Sequence, residues 1–315
     1  SSKKSGSTST SDMLKPEITA ALTGKRIFLS GGTGFFGKSI LDYFTRHPVE
    51  NLSFTVLARH AEEFRSRFPG LCTLSGLSFE NGDVRSFRFP DGRFDFVIHA
   101  ATPAVTTLAP GEMRSIVVEG TRRILDFAEQ CGAGRLLLTS SGAVYGPQPP
   151  GLPLLPEEFP CRPVTEYGIA KLDAERMCAD SNVFCCIARC FAFIGPWLPR
   201  TIHYAAGNFL RDCEENRPII IQGDGRTVRS YMHADDLVEW LFTLLIAGRR
   251  GEAYNIGSEE AVTILELARR IRAHFGSSNE IRILGTPSPL PAPRYVPSTK
   301  KIRTELGLLP PRPVF

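Results

Sequence analysis

Arg26-Ile27-Phe28-Leu29-Ser30-Gly31-Gly32-Thr33-Gly34-Phe35-Phe36-Gly37-Lys38 is the stretch on which the fold turns. A short apolar run leads straight into a glycine-rich turn, and the turn opens a helix-length amphipathic segment that reaches Arg46. Gly32, Gly34 and Gly37 satisfy G-x-G-x-x-G, while Gly31, Gly34 and Gly37 satisfy G-x-x-G-x-x-G. Without Cβ atoms the chain bends sharply and comes close to a bound group. The unpaired amides and the positive end of the helix then face that group's negative charge. A dinucleotide pyrophosphate suits such a turn, which makes Gly31, Gly34, Phe35, Phe36 and Gly37 candidate cofactor contacts. The competing reading is an ordinary glycine-rich turn. The position directly behind a first strand argues against it.

Outward from this stretch, apolar runs alternate with helical ones. Strands are expected at Arg26–Ser30, Leu52–Ala58, Phe94–Ala100, Arg135–Thr139 and Val183–Arg189, and helices at Lys38–Arg46, Glu112–Cys131 and Glu166–Ala179. Strand-helix alternation implies parallel strands joined by right-handed crossovers, hence an α/β fold with a Rossmann-type doubly wound parallel sheet. Beyond Arg189 the prolines and glycines of Gly195-Pro196-Trp197, Pro199, Pro218 and Gly223-Asp224-Gly225 break the chain into shorter pieces. A smaller mixed α/β lobe is expected there, with helices over His203–Asn216, Ala234–Ala247 and Ile264–Phe275 and an extended crossing segment over Pro287–Pro297. The division is a flexible tail over residues 1–20, a dinucleotide-binding domain over 21–189, and an interleaved substrate lobe over 190–315.

Composition narrows the class. The chain has 315 residues, 42% hydrophobic and 22% charged, which is a globular balance. A formal charge of +4 lies partly in Lys3-Lys4 and forms no basic stripe, so nucleic acid is not an expected partner. No apolar run approaches the roughly 20 residues of a membrane span, and no signal-peptide pattern opens the sequence, so a cytoplasmic protein without membrane attachment is expected. Eight cysteines show no Cys-x-x-Cys pair and no paired histidines nearby. They read as reduced thiols, and no metal site is expected.

About 20 residues past the glycines, a strand that holds an adenosine ribose ends in an acid. Here the sequence is Leu57-Ala58-Arg59-His60. Arg59 either accepts a 2′-phosphate, which favours NADP(H) over NAD(H), or is a solvated loop cation. Further on, Glu166-Tyr167-Gly168-Ile169-Ala170-Lys171 sets Tyr167 and Lys171 four apart, on one face of a helix. A free phenol, with a pKa of about 10, is a weak base at neutral pH. A neighbouring ammonium favours the phenolate and can also grip the cofactor's nicotinamide ribose. Leu137-Leu138-Thr139-Ser140-Ser141-Gly142-Ala143-Val144-Tyr145-Gly146 runs off the carboxyl end of a strand, where open α/β sheets hold their ligands. Ser141 is the first choice for a hydroxyl sharing the substrate oxygen with Tyr167. Ser140 is the second, and either serine could instead cap the turn.

The glycine turn, Ser-Ser-x-x-Val-Tyr-Gly, Tyr-x-x-x-Lys and Ala188-Arg189-Cys190-Phe191-Ala192-Phe193-Ile194-Gly195-Pro196 occur here in one order. With them the chain resembles the extended short-chain dehydrogenase/reductase family, and more narrowly its nucleotide-sugar epimerase/dehydratase branch. The likeness runs from Lys25 to Pro310 and includes Gly223 to Leu237 and Arg294-Tyr295-Val296-Pro297. It implies that Asp83 and Val84 contact adenine, that Ala100 and Ala101 lie near the cofactor phosphates, and that Asn208 and Phe209 contact the sugar nucleotide. It also implies that Arg229 and Arg294 bind the diphosphate, a task suited to the guanidinium's fixed fork of donors. A homodimer through the Glu112–Cys131 and Glu166–Ala179 helices is implied as well.

Departures from the family pattern shape the expected reaction. Dehydratases of the branch carry an Asp-Glu pair after the hydroxyl residue, and this chain has Gly142-Ala143, which speaks against 4,6-dehydration. Val117 and Ala192 stand where the family carries asparagines. The expected enzyme is an NAD(P)-dependent nucleotide-sugar 4-epimerase, with Tyr167, Lys171 and Ser141 at the reacting centre. The alternative is an NADPH-dependent 4-keto nucleotide-sugar reductase. A non-catalytic dinucleotide sensor is the third reading, disfavoured by the intact Tyr167 and Lys171.

Overall fold

A computed structural model describes residues 13–102, 108–109, 111–200 and 204–315. The first element, α1 (Pro16–Leu22), starts with Pro16 in its first turn, where a missing N–H costs nothing, and buries Ile18 and Leu22. Residues 16–20 therefore belong to the packed protein, and the tail expected over 1–20 is shorter. Residues 1–12 lie outside the described residues.

The central sheet is laid down as β1 (Arg26–Ser30), α2 (Phe35–Arg46), β2 (Ser53–Ala58), α3 (Ala61–Arg67), β3 (Leu77–Asn81), β4 (Phe96–His99), α4 (Glu112–Gln130), β5 (Arg135–Ser141), α5 (Glu166–Asp180) and β6 (Cys185–Cys190). The chain then leaves the sheet through β7 (Phe193–Ile194), α6 (Ala205–Glu214), β8 (Ile219–Ile221), β9 (Val228–Ser230) and β10 (Met232–His233). It returns through α7 (Ala234–Ala247) and β11 (Ala253–Ile256), and ends with β12 (Ala261–Thr263), α8 (Ile264–His274), β13 (Ile281–Ile283), β14 (Arg294–Tyr295) and α9 (Lys300–Leu306).

Seven parallel strands run in the order β11-β6-β5-β4-β1-β2-β3. Both faces are covered, and the apolar runs split between them by strand alternation. Ile27 and Leu29 pack with α2 and α7 on one side, while Phe28 packs with α4 and α5 on the other. The order reverses between β1 and β4, which opens a crevice beyond their carboxyl ends. The turn after Ser30 and the segment after His99 flank that crevice.

The smaller lobe has its own core, with Phe209, Leu210, Tyr231, Val262, Leu267 and Ile271 among its buried residues. It contains the three-stranded sheet β12-β9-β14 and the pair β13-β8. In α7 the run Leu237 to Leu245 is apolar nearly all round, so this helix is buried under the main sheet, and β11 joins the sheet beside β6. The lobe thus interleaves with the sheet through α7 and β11. The helix expected from His203 is observed over Ala205–Glu214, and residue 203 lies outside the described residues. Among the described residues no helix is long and apolar enough to cross a membrane.

Candidate active site

The glycine turn is built by contact between backbones. Gly31 has φ +76°, and a Cβ on it would stand 2.4 Å from the carbonyl of Ala100. A Cβ on Gly37 would come within 2.1 Å of Gly32 Cα, so this glycine lets α2 press onto the turn. Gly34 differs: its Cβ would meet nothing closer than Gly31 O at 3.4 Å, leaving open space at the start of α2. The first-turn amides of Phe35, Phe36 and Gly37 have no carbonyl one helical turn earlier to bond. Open space in front of unpaired helix-start amides fits a pyrophosphate. The rings of Phe35 and Phe36 pack instead against Phe193, at 6.5 and 5.5 Å between centroids.

Beneath the turn, His99 bonds Ser30 Oγ through Nδ1 at 2.7 Å and Thr121 Oγ1 through Nε2 at 3.0 Å. Burial, aided by the Lys171 ammonium, pushes its pKa down to about 3, so the ring is neutral. It ties β1, β4 and α4 together below Ala100 and Ala101. At the far end of the crevice Arg59 is exposed just past β2. Asp83 is held by Arg85, which donates Nε at 2.8 Å and Nη2 at 3.0 Å, and this lowers the Asp83 pKa. Arg59 lies near enough to lower it further. Val84 is buried, and a Cβ on Gly120 would meet its side chain at 2.9 Å.

At the reacting end, Thr165 caps α5 by accepting the Gly168 amide at 3.0 Å. Gly168 faces Ala143 O, which a Cβ would meet at 2.7 Å, so the start of α5 lies flat on the turn after β5. That contact brings Tyr167 to Ser141. Burial pushes the Tyr167 phenol up, and the nearby Ser141 hydroxyl offsets part of that rise. Lys171 is buried one helical turn on, with Nζ 5.8 Å from the Tyr167 ring centroid. It donates to Thr139 O at 2.8 Å and Thr102 Oγ1 at 2.7 Å, and burial brings its pKa down to about 8.

Ser140 faces elsewhere. Strand alternation turns its hydroxyl to Glu175, at 2.5 Å, inside a buried ion pair in which Arg189 Nη2 meets Glu175 Oε2 at 2.8 Å. Arg189 Nη1 donates to Tyr145 Oη at 3.0 Å, and Tyr145 donates to Asn255 Oδ1 at 2.7 Å. This network links β5, α5, β6 and β11. Ser140 is therefore a structural residue and not the substrate contact it was expected to be.

From the small lobe, β9 and β14 pair so that Arg229 stands opposite Tyr295, its guanidinium 5.1 Å from that ring's centroid. Arg294 donates Nε to Pro153 O at 2.7 Å. Asn208 is partly exposed on α6, whereas the Phe209 side chain is buried in the small-lobe core and presents no ring to a ligand. Val117 is likewise core.

Three side chains here were missed in the sequence. Cys190, at the end of β6, is buried near Lys171 and its thiol is pushed up to about 12 by burial. Tyr204, preceding α6, lies close to Tyr167. Tyr295 was quoted only as a neighbour of Arg294, and its hydroxyl fills the space over Gly142, 2.6 Å from where a Cβ would stand. Among the described residues no cluster of metal-ligating side chains occurs.

Comparison with known proteins adds to this geometry. The NAD dependent epimerase/dehydratase family matches residues 27–257. The chain is 27% identical over 300 residues to the dTDP-glucose 4,6-dehydratase of Streptomyces niveus, covering 90% of this chain and 88% of that protein. It is 28% identical over 309 residues to UDP-glucuronic acid decarboxylase 1 of Xenopus tropicalis, covering 92% and 69%. The crystal structure of UDP-glucuronic acid 4-epimerase from Bacillus cereus, in complex with UDP-glucuronic acid and NAD, superimposes with a TM-score of 0.78 at 21% identity, covering 91% of this chain and 95% of that one. That last likeness is one of fold.

Proposed function

The chain belongs to the NAD dependent epimerase/dehydratase family, and from that premise we propose that it is a nucleotide-sugar 4-epimerase. The Gly31 to Gly37 turn would hold the pyrophosphate of a nicotinamide dinucleotide, Asp83 and Val84 its adenine end, Ala100 and Ala101 the phosphates, and Lys171 the nicotinamide ribose. When bound, that group supplies a hydride acceptor and donor. Tyr167 Oη takes the proton of the sugar's C4 hydroxyl on oxidation and gives it back on reduction. Ser141 steadies the same oxygen, and the buried Lys171 keeps positive charge beside the phenol. Arg229, and Arg294 if it releases Pro153, would bind the diphosphate.

One observation favours epimerisation over elimination. At position 142, where an eliminating enzyme of this branch keeps an acid, there is a glycine whose missing side chain is replaced by the Tyr295 phenol, 2.6 Å from where a Cβ would stand. Elimination needs positioned acid and base groups. The test is incubation with UDP- and dTDP-hexoses and mass spectrometry and NMR of the products. An isomer of unchanged mass, formed without net cofactor consumption and lost in Tyr167→Phe, is the expected result. A product lighter by water or carbon dioxide would reject the proposal.

The second reading rests on Arg59. An exposed arginine past β2 with no acid at the strand end suits the 2′-phosphate of NADP(H), and a cofactor drawn from that pool suits a 4-keto nucleotide-sugar reductase. Stoichiometric NADPH oxidation with a 4-keto substrate would select it. The same proposal carries a homodimer through α4 and α5, which sedimentation analysis would test.

A further inference from the structure

Lys171 is 3% exposed, and its Nζ donates to Thr139 O at 2.8 Å and to Thr102 Oγ1 at 2.7 Å. An ammonium has three N–H groups and no acceptor of its own. Among the described residues no third acceptor is found, and an unshared donor on a buried cation is unfavourable. The third N–H is therefore the one left for a ligand.

The two acceptors come from neighbouring strands. Thr139 lies near the end of β5, and its own hydroxyl donates to His99 O at 3.2 Å. His99 ends β4, which runs parallel to β5 with His99 opposite Leu138, and Thr102 follows shortly after it. Both acceptors thus lie at the carboxyl end of the sheet, beside the crevice where the strand order reverses. The Thr139 carbonyl alone would let Nζ pivot about a single contact. The Thr102 hydroxyl removes that freedom: with Cε and two N–H groups pinned, a tetrahedral nitrogen can send its last N–H in one direction only.

We propose that Thr102 is a positioning residue for Lys171: its hydroxyl, together with the Thr139 carbonyl, holds the ammonium so that the third N–H stays directed at the nicotinamide ribose. This rests on the reading of Lys171 as the ribose contact. The same hydroxyl acts on charge, because a lone pair on an ammonium N–H favours the charged form. The groups facing Lys171 are Tyr167, Glu175 and Cys178 on its own helix, Cys190 on β6 and His99 on β4. His99, at about 3, is neutral near pH 7, and so are the Tyr167 phenol and the Cys178 and Cys190 thiols, all of which are shifted up. Glu175 is paired with Arg189. Lys171 itself, brought down to about 8 by burial, is an ammonium at pH 7 only by a modest margin.

Carbon-13 NMR of lysine-labelled protein follows the Lys171 Cε signal with pH, without substrate or cofactor, and Lys171→Met identifies that signal by its loss. Thr102→Val, which replaces the hydroxyl by a methyl group of similar size, is expected to lower the Lys171 pKa by about one unit. Thr102→Ser, which keeps the hydroxyl, should restore it. Calorimetry with NAD+ and NADP+ at pH 7 reads the aim of the third N–H. Whichever dinucleotide binds the unsubstituted chain more tightly should bind Thr102→Val about tenfold more weakly and Thr102→Ser about as well as before. In a Lys171→Met background Thr102→Val should cause no further loss, because Thr102 acts only through Lys171. Tighter binding by Thr102→Val, or losses that add in the double variant, would overturn the proposal. So would an unmoved titration, and weak binding by Lys171→Met would then spare the reading of Lys171. A shifted titration beside undiminished binding by Lys171→Met would overturn that reading instead, and the proposed aim with it.

Discussion

Between Ser30 and Gly37 the constraints are mostly contacts with backbone: Gly31 under Ala100 and Gly37 against Gly32, with Gly34 open at the helix start. The reacting end is assembled otherwise. Ser141, Tyr167, Arg229 and Tyr295 come from four separate elements, β5, α5, β9 and β14, and present side chains where the glycine turn presents backbone. Where backbone packs on backbone no added atom is tolerated, whereas a site made of side chains depends on a supporting network. The two regions should therefore fail in different ways.

The largest effect is expected in the network behind the reacting end. Glu175→Ala leaves the Arg189 guanidinium buried and uncompensated and strips Ser140 of its acceptor, which costs roughly 3–5 kcal/mol. Urea denaturation measures it. A loss under 1 kcal/mol would mean that water enters and solvates Arg189, and that this end is softer than its contacts imply. Next comes the backbone-built end. Gly31→Ala meets both the left-handed conformation and the Ala100 carbonyl, for a combined loss of about 3 kcal/mol. Gly34→Ala has room for its methyl group and should leave the melting temperature nearly unchanged while weakening dinucleotide binding in calorimetry. Equal destabilisation by the two variants would erase the distinction between a packed glycine and a ligand-facing one.

The same contrast explains what could be read from the sequence. The glycine turn and the Tyr167-Lys171 pair were legible because each lies within one turn or one helical repeat. The inner strands were legible because burial on both faces leaves unbroken apolar runs such as Ile27-Phe28-Leu29. The edge strand β3 was not, since Leu77-Ser78-Phe79-Glu80-Asn81 is only half covered and reads as loop. Strand β11 was missed because Asn255, buried against Leu155 O and Tyr145, interrupts its apolar character. The choice between Ser140 and Ser141 depends on which face of β5 each presents, and only the register with β4 and β6 decides that. Tyr295 reaches Gly142 from the end of a proline-rich crossing segment, a juxtaposition that no local spacing encodes.

His99 joins the two regions, and its charge state offers a third test. Its folded pKa of about 3 lies below the ordinary 6.5. Below pH 6.5 the unfolded chain therefore binds a proton that the folded protein refuses until near pH 3. This stabilising contribution is complete above pH 6.5 and is lost as the pH falls toward 3. Between pH 7 and pH 5 the loss is roughly 2 kcal/mol. His99→Gln, which cannot charge, should be less stable at pH 7 yet lose about that much less between pH 7 and pH 5 when unfolded in urea. Parallel pH profiles for the two proteins would show that His99 is protonated in place and that the junction is more hydrated than its burial implies.

The smallest expected effect asks whether the sugar-side lobe can loosen by itself. Thr263 caps α8 in a reciprocal pair with Glu266, accepting its amide at 3.1 Å while the Glu266 carboxylate accepts the Thr263 amide at 2.8 Å. Thr263→Ala removes half of that pair and costs about 1 kcal/mol. The residue also ends β12, which pairs with β9, and Val262 stands opposite Arg229. If the lobe opens independently of the sheet, amides of α8, β9 and β12 should exchange with solvent about fivefold faster, while those of β1, β4 and β5 stay unchanged. Acceleration across all of them by the same factor would mean that α7 and β11, which run back into the sheet, bind both regions into one cooperative unit. Arg229 and Tyr295 would then be held as firmly as the glycine turn, and the side-chain-built end would owe its order to the sheet.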